Sequence, residues 1–428
     1  MVTALVAIFV VAYAAIAFEH PLRINKSASA LIGAGLMWTL YATLTADHAE
    51  VGHQLGESIM GTAQIVFFLM GAMTIVEVID AHNGFEVITN RIRTTTLTSL
   101  MWLVGGVSFF LSAALDNLTT TIVMISLMRK LLAQHEDRLF FAGIIVIAAN
   151  AGGAWSPIGD VTTTMLWIGG QITTLSIMQS VFLPAVVNLV VPLAVTAFFL
   201  RGRLVIAPAA SVHERGAPNT TEFERKLMFY LGIGILVAVP VFKTLTHLPP
   251  FMGVLFGLGL LWLVGDLVHR HKEDIDKQHL TLAHALSRID MGSIVFFVGI
   301  LLAVATLEHT QVLSALAQYL DETIGRQDLI VLIIGIASAI VDNVPLVAAA
   351  MGMYSLADYP PDHFLWSFLA YCAGTGGSIL IIGSAAGVAA MGLERIHFFW
   401  YVQRISGLAL IGYLAGAGVY LLQYRLLH

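Results

Sequence analysis

The sequence predicts an all-α polytopic membrane protein of two inverted-topology repeats, with about ten transmembrane helices, two re-entrant hairpins and two broken helices. Three observations carry this. First, 58% of the 428 residues are hydrophobic and 11% are charged, with mean hydropathy +0.85; a soluble domain carries about 25% charged residues. Second, the phrase Ser112-Ala113-Ala114-Leu115-Asp116-Asn117-Leu118 returns 226 positions later as Ser338-Ala339-Ile340-Val341-Asp342-Asn343-Val344, each time inside an apolar stretch. Third, basic residues gather on alternate loops. Paired, interrupted hydrophobic segments in two halves are the sequence mark of a secondary carrier's binding site.

A crossing helix needs roughly 20 apolar residues, and such runs fall at 2–18, 28–45, 61–80, 139–170, 178–200, 227–246, 250–268, 291–310, 364–391 and 397–424. The first has no basic region ahead of it and no small-residue cleavage site before His20-Pro21, so it reads as a retained helix. The stretch 97–128 is too long for one crossing, too short for two, and cut by Asp116-Asn117. It reads as a hairpin. Arg91 and Arg93 before it and Arg129 and Lys130 after it place its entry on the cytoplasmic side. The stretch 329–354 repeats the form around Asp342-Asn343, with mixed or acidic flanks at Asp321, Glu322, Arg326, Asp328, Asp358 and Asp362, and reads as a hairpin entering from outside.

This arrangement puts both termini on the outer face, which is the periplasmic one if the membrane is the bacterial plasma (inner) membrane that the resemblance below implies. Of the 21 Lys and Arg, all but Lys243, Arg326 and Arg425 then fall on the cytoplasmic side, Lys26 among them. The repeats are residues 1–200 and 227–428, joined by a polar cytoplasmic linker, 201–226, that carries Pro208, Pro218 and Asn219. Each has an odd number of crossings, so the second inserts upside down. Ile65-Val66-Phe67-Phe68 matches Ile294-Val295-Phe296-Phe297, and Gly152-Gly153 with Gly159-Asp160 matches Gly376-Gly377 with Gly383-Ser384.

Two runs carry breaks of their own. In Asn150 to Thr164 three glycines and Pro157 fall near mid-span, and Pro157 disfavours helix at Ser156. Carbonyls near 152–156 are therefore expected to be free. The counterpart, Gly374 to Ser384, is richer still in glycine. Irregular backbone at membrane depth survives only when buried in protein or lining a wet cavity, so the breaks imply a cavity. The side chains near them include Asp116, Asn117, Thr119, Thr120, Thr121, Asn150, Ser156, Asp160, Thr162, Thr163, Ser338, Asp342, Asn343, Thr375, Ser378 and Ser384. All are acids, amides or hydroxyls, with no basic residue. Such donors suit hard cations, and three acids without an evident counter-ion point to cation or proton traffic.

Packing accounts better for Ser112, Ser126 and Thr74. Glu77, Asp80 and Glu308 lie near helix ends, where exposure explains them, and His82 and His309 are candidates for pH sensing. One cysteine, Cys372, rules out a disulfide framework or a multi-cysteine metal site. There is no phosphate loop, no H-E-x-x-H, no basic tract for nucleic acid, and Gly-x-Gly-Asp of intramembrane aspartyl proteases fails at both Asp160 and Asp266. Nothing suggests an enzyme or a cofactor. Inverted repeats with broken helices are also a carrier's design more than a channel's.

At Leu115 to Thr121, Asn150 to Thr164 and Val341 to Pro345 the chain resembles the NhaD-type sodium/proton antiporters of the ion transporter superfamily, which also holds arsenite and dicarboxylate carriers. The likeness spans nearly the whole chain. It implies a homodimeric plasma-membrane antiporter for pH homeostasis, with scaffold helices and a mobile part made of the hairpins and broken helices. Its implied functional group is Asp116, Asn117, Asn150, Asp160, Thr162, Thr163, Ser338, Asp342, Asn343 and Ser378. Dicarboxylate relatives have a neutral hairpin tip where this chain has Asp116, which favours a cation.

The reading is exchange of Na⁺ or Li⁺ for H⁺ by alternating access, ion and protons competing for the same carboxylates. Asp116 and Asp160, from one half, are assigned the ion, and Asp342 assists. Ser384 stands where symmetry would put a fourth acid, so the site is asymmetric. The alternative is a sodium-coupled carrier of dicarboxylate or oxyanion.

Overall fold

The computed structural model describes the chain except residues 18, 90–93, 207–219, 273–277, 341 and 428, and the side chains of 17, 20, 21, 89 and 427. Arg91, Arg93, Val341 and the middle of the 201–226 linker thus lie outside the described residues. Among those described, no strand forms beyond one bridge, Thr96 to Leu204. The helices are α1 (Val2–Ala17), α2 (Lys26–Leu44), α3 (His48–Ala81), α4 (Leu97–Ala114), α5 (Asn117–Leu131), α6 (His135–Ala154), α7 (Val161–Ile168), α8 (Thr174–Phe199) and α9 (Glu222–Thr246). There follow α10 (Pro250–His269), α11 (Leu282–Arg288), α12 (Met291–His309), α13 (Val312–Ile324), α14 (Gln327–Ala337), α15 (Asn343–Met353), α16 (Phe364–Gly376), α17 (Ala385–Glu394) and, after a π-turn at Val402–Ser406, α18 (Gly407–Leu427). Among the described residues nine helices are long and apolar enough to cross a membrane. These include α4, and they leave out α1 and the two short arms α16 and α17.

One boundary and one added helix differ from the hydropathy reading. The run expected at 61–80 begins at His48, making α3 34 residues long. Asp47 caps it by accepting from Ala49 N and Glu50 N, and the mixed stretch 48–60, polar residues interleaved with Val51, Leu55, Ile59 and Met60, extends the helix ahead of the apolar run. The amphipathic α13, with Leu313 and Ala317 buried, was not anticipated.

Each of the four interrupted segments restarts its second helix on a polar N-cap. Asp116 accepts from Thr119 N, Asp160 from Thr162 N, Asp342 from Val344 N and Ser384 from Gly387 N. A short oxygen-bearing side chain satisfies one of the unpaired amides of a helix start, and a negative charge there is favoured by the helix dipole. The acids therefore make the break as well as occupy it. Glycine lets the crossing backbones touch: a Cβ on Gly152 would collide with the Phe109 carbonyl, and one on Gly376 with the Gly335 carbonyl. This is why α6 packs closely on α4 and α16 on α14.

The helices gather into two bundles. One holds α1, α2, α3, α9, α10 and α12; the other holds both hairpins (α4–α5, α14–α15), both broken helices (α6–α7, α16–α17), α8 and α18. Packing relations recur between the halves: α1 on α2 as α9 on α10, α2 on α12 as α10 on α3, α5 on α17 as α15 on α7. One relation is not repeated. Helix α15 packs along α12, whereas its counterpart α5 stands off α3, leaving a cavity of about 260 Å³. Thr119, Ser126 and Lys130 of α5 line it opposite Glu77 and Asp80 of α3, with Arg288 at its edge.

Candidate ion-binding site

The breaks of α6–α7 and α16–α17 meet the tip of the first hairpin in one buried cluster. Asn117 donates from Nδ2 to Asp160 Oδ2 (2.8 Å) and to Asn150 Oδ1 (3.0 Å). Asn150, fully buried on α6, donates from Nδ2 to the hydroxyls of Ser378 and Ser384, both at 2.9 Å. Asp160 is 2% exposed, and its Oδ1 accepts from both Thr162 N and Thr162 Oγ1 at 3.0 Å. Gly374 packs so close that a Cβ there would lie 3.8 Å from Asp160 Oδ2.

Two residue halves thus converge: Asn117, Asn150, Asp160 and Thr162 from the first, Ser378 and Ser384 from the second. Ser384, absent from the group that resemblance implied, is a direct partner of Asn150. Among the described residues, Thr120 Oγ1, Thr121 Oγ1, Thr163 Oγ1 and Asn343 Nδ2 are near these breaks, buried and without a hydrogen-bond partner. Buried polar atoms are nearly always paired, so the three orphaned hydroxyls supply spare oxygens close in sequence to the cluster. Among the described residues no three His, Cys, Asp or Glu side chains converge as a metal centre would require; the donors are mostly amides and hydroxyls.

Asp116 stands one residue outside the cluster. Its carboxylate accepts from Thr119 N (2.7 Å) and Thr119 Oγ1 (2.9 Å), and Thr119 also lines the cavity between α3 and α5. No hydrogen bond joins Asp116 to Asp160; Asn117 connects them. Ser338 is committed elsewhere, donating to the carbonyls of Gly335 (2.7 Å) and Ala373 (3.1 Å). Its repeat partner Ser112 likewise donates to Ala149 O at 2.6 Å. Both hydroxyls tie a hairpin arm to a broken helix.

The expectation of three uncompensated acids needs correcting. Lys26 Nζ lies 3.1 Å from Asp342 Oδ2, so the second hairpin's acid has a counter-ion that belongs to a stretch read as a cytoplasmic loop. The pairing spans 316 positions, and local pattern gives no hint of it. Of the carbonyls expected to be free near 152–156, two are taken: α6 runs helical to Ala154, and the Gly153 and Ser156 carbonyls accept from Ser156 N and Gly159 N. His82 is buried and stacked on His269; His309 bonds Ser58.

Other basic residues pair with acids at helix ends and in the connecting segments. Arg129 and Arg138 pair with buried Glu394, Arg203 with Asp137, Arg225 with Glu86, Lys272 with Glu224 and Arg288 with Glu77. Elsewhere, Thr173 joins Asp362, and Lys243 donates to the Trp167 carbonyl.

The sequence profile described as citrate transporter (CitMHS) matches residues 13–374. Sodium/proton antiporter 1 of Arabidopsis thaliana is 50% identical over 426 residues, 99% of this chain and 73% of that protein. An antiporter named NhaD from Alkalimonas amylolytica is 31% identical, across 97% of this chain and 89% of that one. The chain belongs to the NhaD-type sodium/proton antiporter family. It is a multi-pass secondary transporter and not an enzyme. Among solved structures, the YdaH transporter of Alcanivorax borkumensis, described as having an unusual topology, superposes with a TM-score of 0.51 at 12% identity, over 88% of this chain and 89% of that one. That likeness concerns the fold.

Proposed function

We propose that the protein exchanges Na⁺ or Li⁺ for H⁺ across a plasma membrane, and that Asp160 with Asn117, Asn150, Thr162 and Thr163 holds the ion or proton. One observation carries the reading: Asp160 is a buried carboxylate with amide and hydroxyl neighbours and, among the described residues, no cation paired to it. An unpaired buried charge is costly, so the site is complete only with a proton or a small hard cation. Asp116 beside the cavity hands the ion in. Two such carboxylates can trade protons for Na⁺, and no cofactor takes part.

The matched packing of the halves supports two inverted repeats, 1–200 and 227–428, with the belt of basic residues on the cytoplasmic face, the 201–226 linker on that face and both termini outside. Alternating access then moves the hairpin-bearing bundle against the other, in a homodimer. The citrate description favours one competing reading, an anion carrier. The test is dissipation of a proton gradient in everted vesicles on adding NaCl, LiCl, KCl or citrate. Recovery with NaCl and LiCl supports antiport; recovery only with citrate overturns it.

A further inference from the structure

The second hairpin is tied to the opposite bundle by a charge. Lys26 Nζ reaches Asp342 Oδ2 at 3.1 Å, with side chains 24% and 14% exposed, and also sits 4.6 Å above the Phe296 ring. Of the ion pairs between described residues, it alone joins the two bundles. A pair so sheltered is screened less than a surface one and is worth more.

The Lys26 end is firmly held. Asn25 caps α2 by accepting from Ser27 N at 2.8 Å, and Ser27 Oγ donates to the Gly292 carbonyl of α12 at 2.7 Å. Further along, a Cβ on Gly299 would come within 2.7 Å of the Ala30 carbonyl carbon, so α2 and α12 touch through their backbones. The Asp342 end is the N-cap of α15, the helix that packs along α12. Pulling Asp342 away from Lys26 therefore means pulling α15 off α12. The first hairpin has no such tie: its Asp116 bonds only Thr119 among the described side chains, and its α5 stands off α3 with the cavity between. One seam is shut and latched while its repeat counterpart is open.

We propose that Lys26 is a positioning residue, a resident counter-cation that latches the second hairpin to the scaffold in this conformation and must release Asp342 when the transport bundle moves. This rests on the alternating-access reading above.

The test reads the open seam directly. Ser126 is exposed on the cavity wall and Cys372 is buried, so Ser126→Cys in the full chain gives a site for a membrane-impermeant maleimide applied to everted vesicles. If the latch holds the seam open, Lys26→Met slows labelling about tenfold, less than a fully buried pair would give. Lys26→Arg restores it. Asp342→Asn slows it equally, and the double variant slows it no further, because both changes remove one bond. In vesicles that exchange Na⁺, apparent KM for Na⁺ at the cytoplasmic face rises by the same factor, since only the fraction facing that side binds. Unchanged labelling in Lys26→Met and Asp342→Asn, additive effects, or no rescue by Arg would overturn the latch. Should Lys26→Met not fold, the double variant, which leaves no unpaired charge, carries the same test. Labelling needs no transport, so a wild type that labels as expected but does not exchange Na⁺ refutes the proposed function and leaves the latch standing.

Discussion

Replacing Asn150 with alanine probes the cluster at the residue that joins its halves. The change removes three hydrogen bonds, those with Asn117, Ser378 and Ser384. Hydrogen bonds between membrane helices average roughly 0.6 kcal/mol each, so the three together are worth about 2 kcal/mol. The hydroxyl of Ser378 is left with no partner among the described residues, while Ser384 keeps Gly387 N at 3.2 Å and Asn117 keeps Asp160. Ser378→Ala should cost about 0.6 kcal/mol and add nothing to Asn150→Ala, because its bond is already gone. Ser384→Ala should cost about 1 kcal/mol more, and that part should add to Asn150→Ala, because it also removes the cap on Gly387 N. Unfolding of the purified protein in mixed detergent measures all of this, with and without NaCl. Sodium at 100 times its dissociation constant stabilises the wild type by about 2.7 kcal/mol, and Asn150→Ala should lose most of that. If Asn150→Ala unfolds within about 0.5 kcal/mol of wild type, the bridge between the halves is not what holds the site.

Asp160→Asn and Asp116→Asn should each abolish Na⁺-driven proton exchange while the protein still inserts; wild-type-like pH recovery in either would remove that residue from the site. Because ion and proton compete, apparent KM for Na⁺ should rise about tenfold per pH unit on acidification for each proton displaced, with maximal rate changing much less. A KM flat between about pH 6.5 and 9 would place the protons elsewhere. A reporter after His428 should lie outside and one in the 201–226 linker inside, and finding both on one face would refute the inverted repeat.

The membrane class and the interruptions at Asp116 and Asp342 were legible because hydropathy and the 226-residue echo are local, linear signals. So were most members of the buried cluster: an acid or amide in hydrocarbon stands out wherever it falls. Sequence could not say what those acids do to the backbone, since N-capping at Asp116, Asp160 and Asp342 depends on where each helix stops. Nor could it sort Ser338 from Ser378. Both are serines beside breaks, yet one hydroxyl is spent on carbonyls and the other accepts from Asn150.

The amino-acid order by itself determined that the chain spans a membrane, repeats itself and carries oxygen donors at four breaks. Tertiary structure alone decided which carboxylate is free. Asp116 and Asp342 occupy equivalent places in the repeat, but among the described residues only Asp342 meets a lysine, from a helix start 316 positions away. Charge compensation depends on distance in space, through the packing of α2 on α12 and of α12 on α15, and no periodicity or local motif encodes that distance.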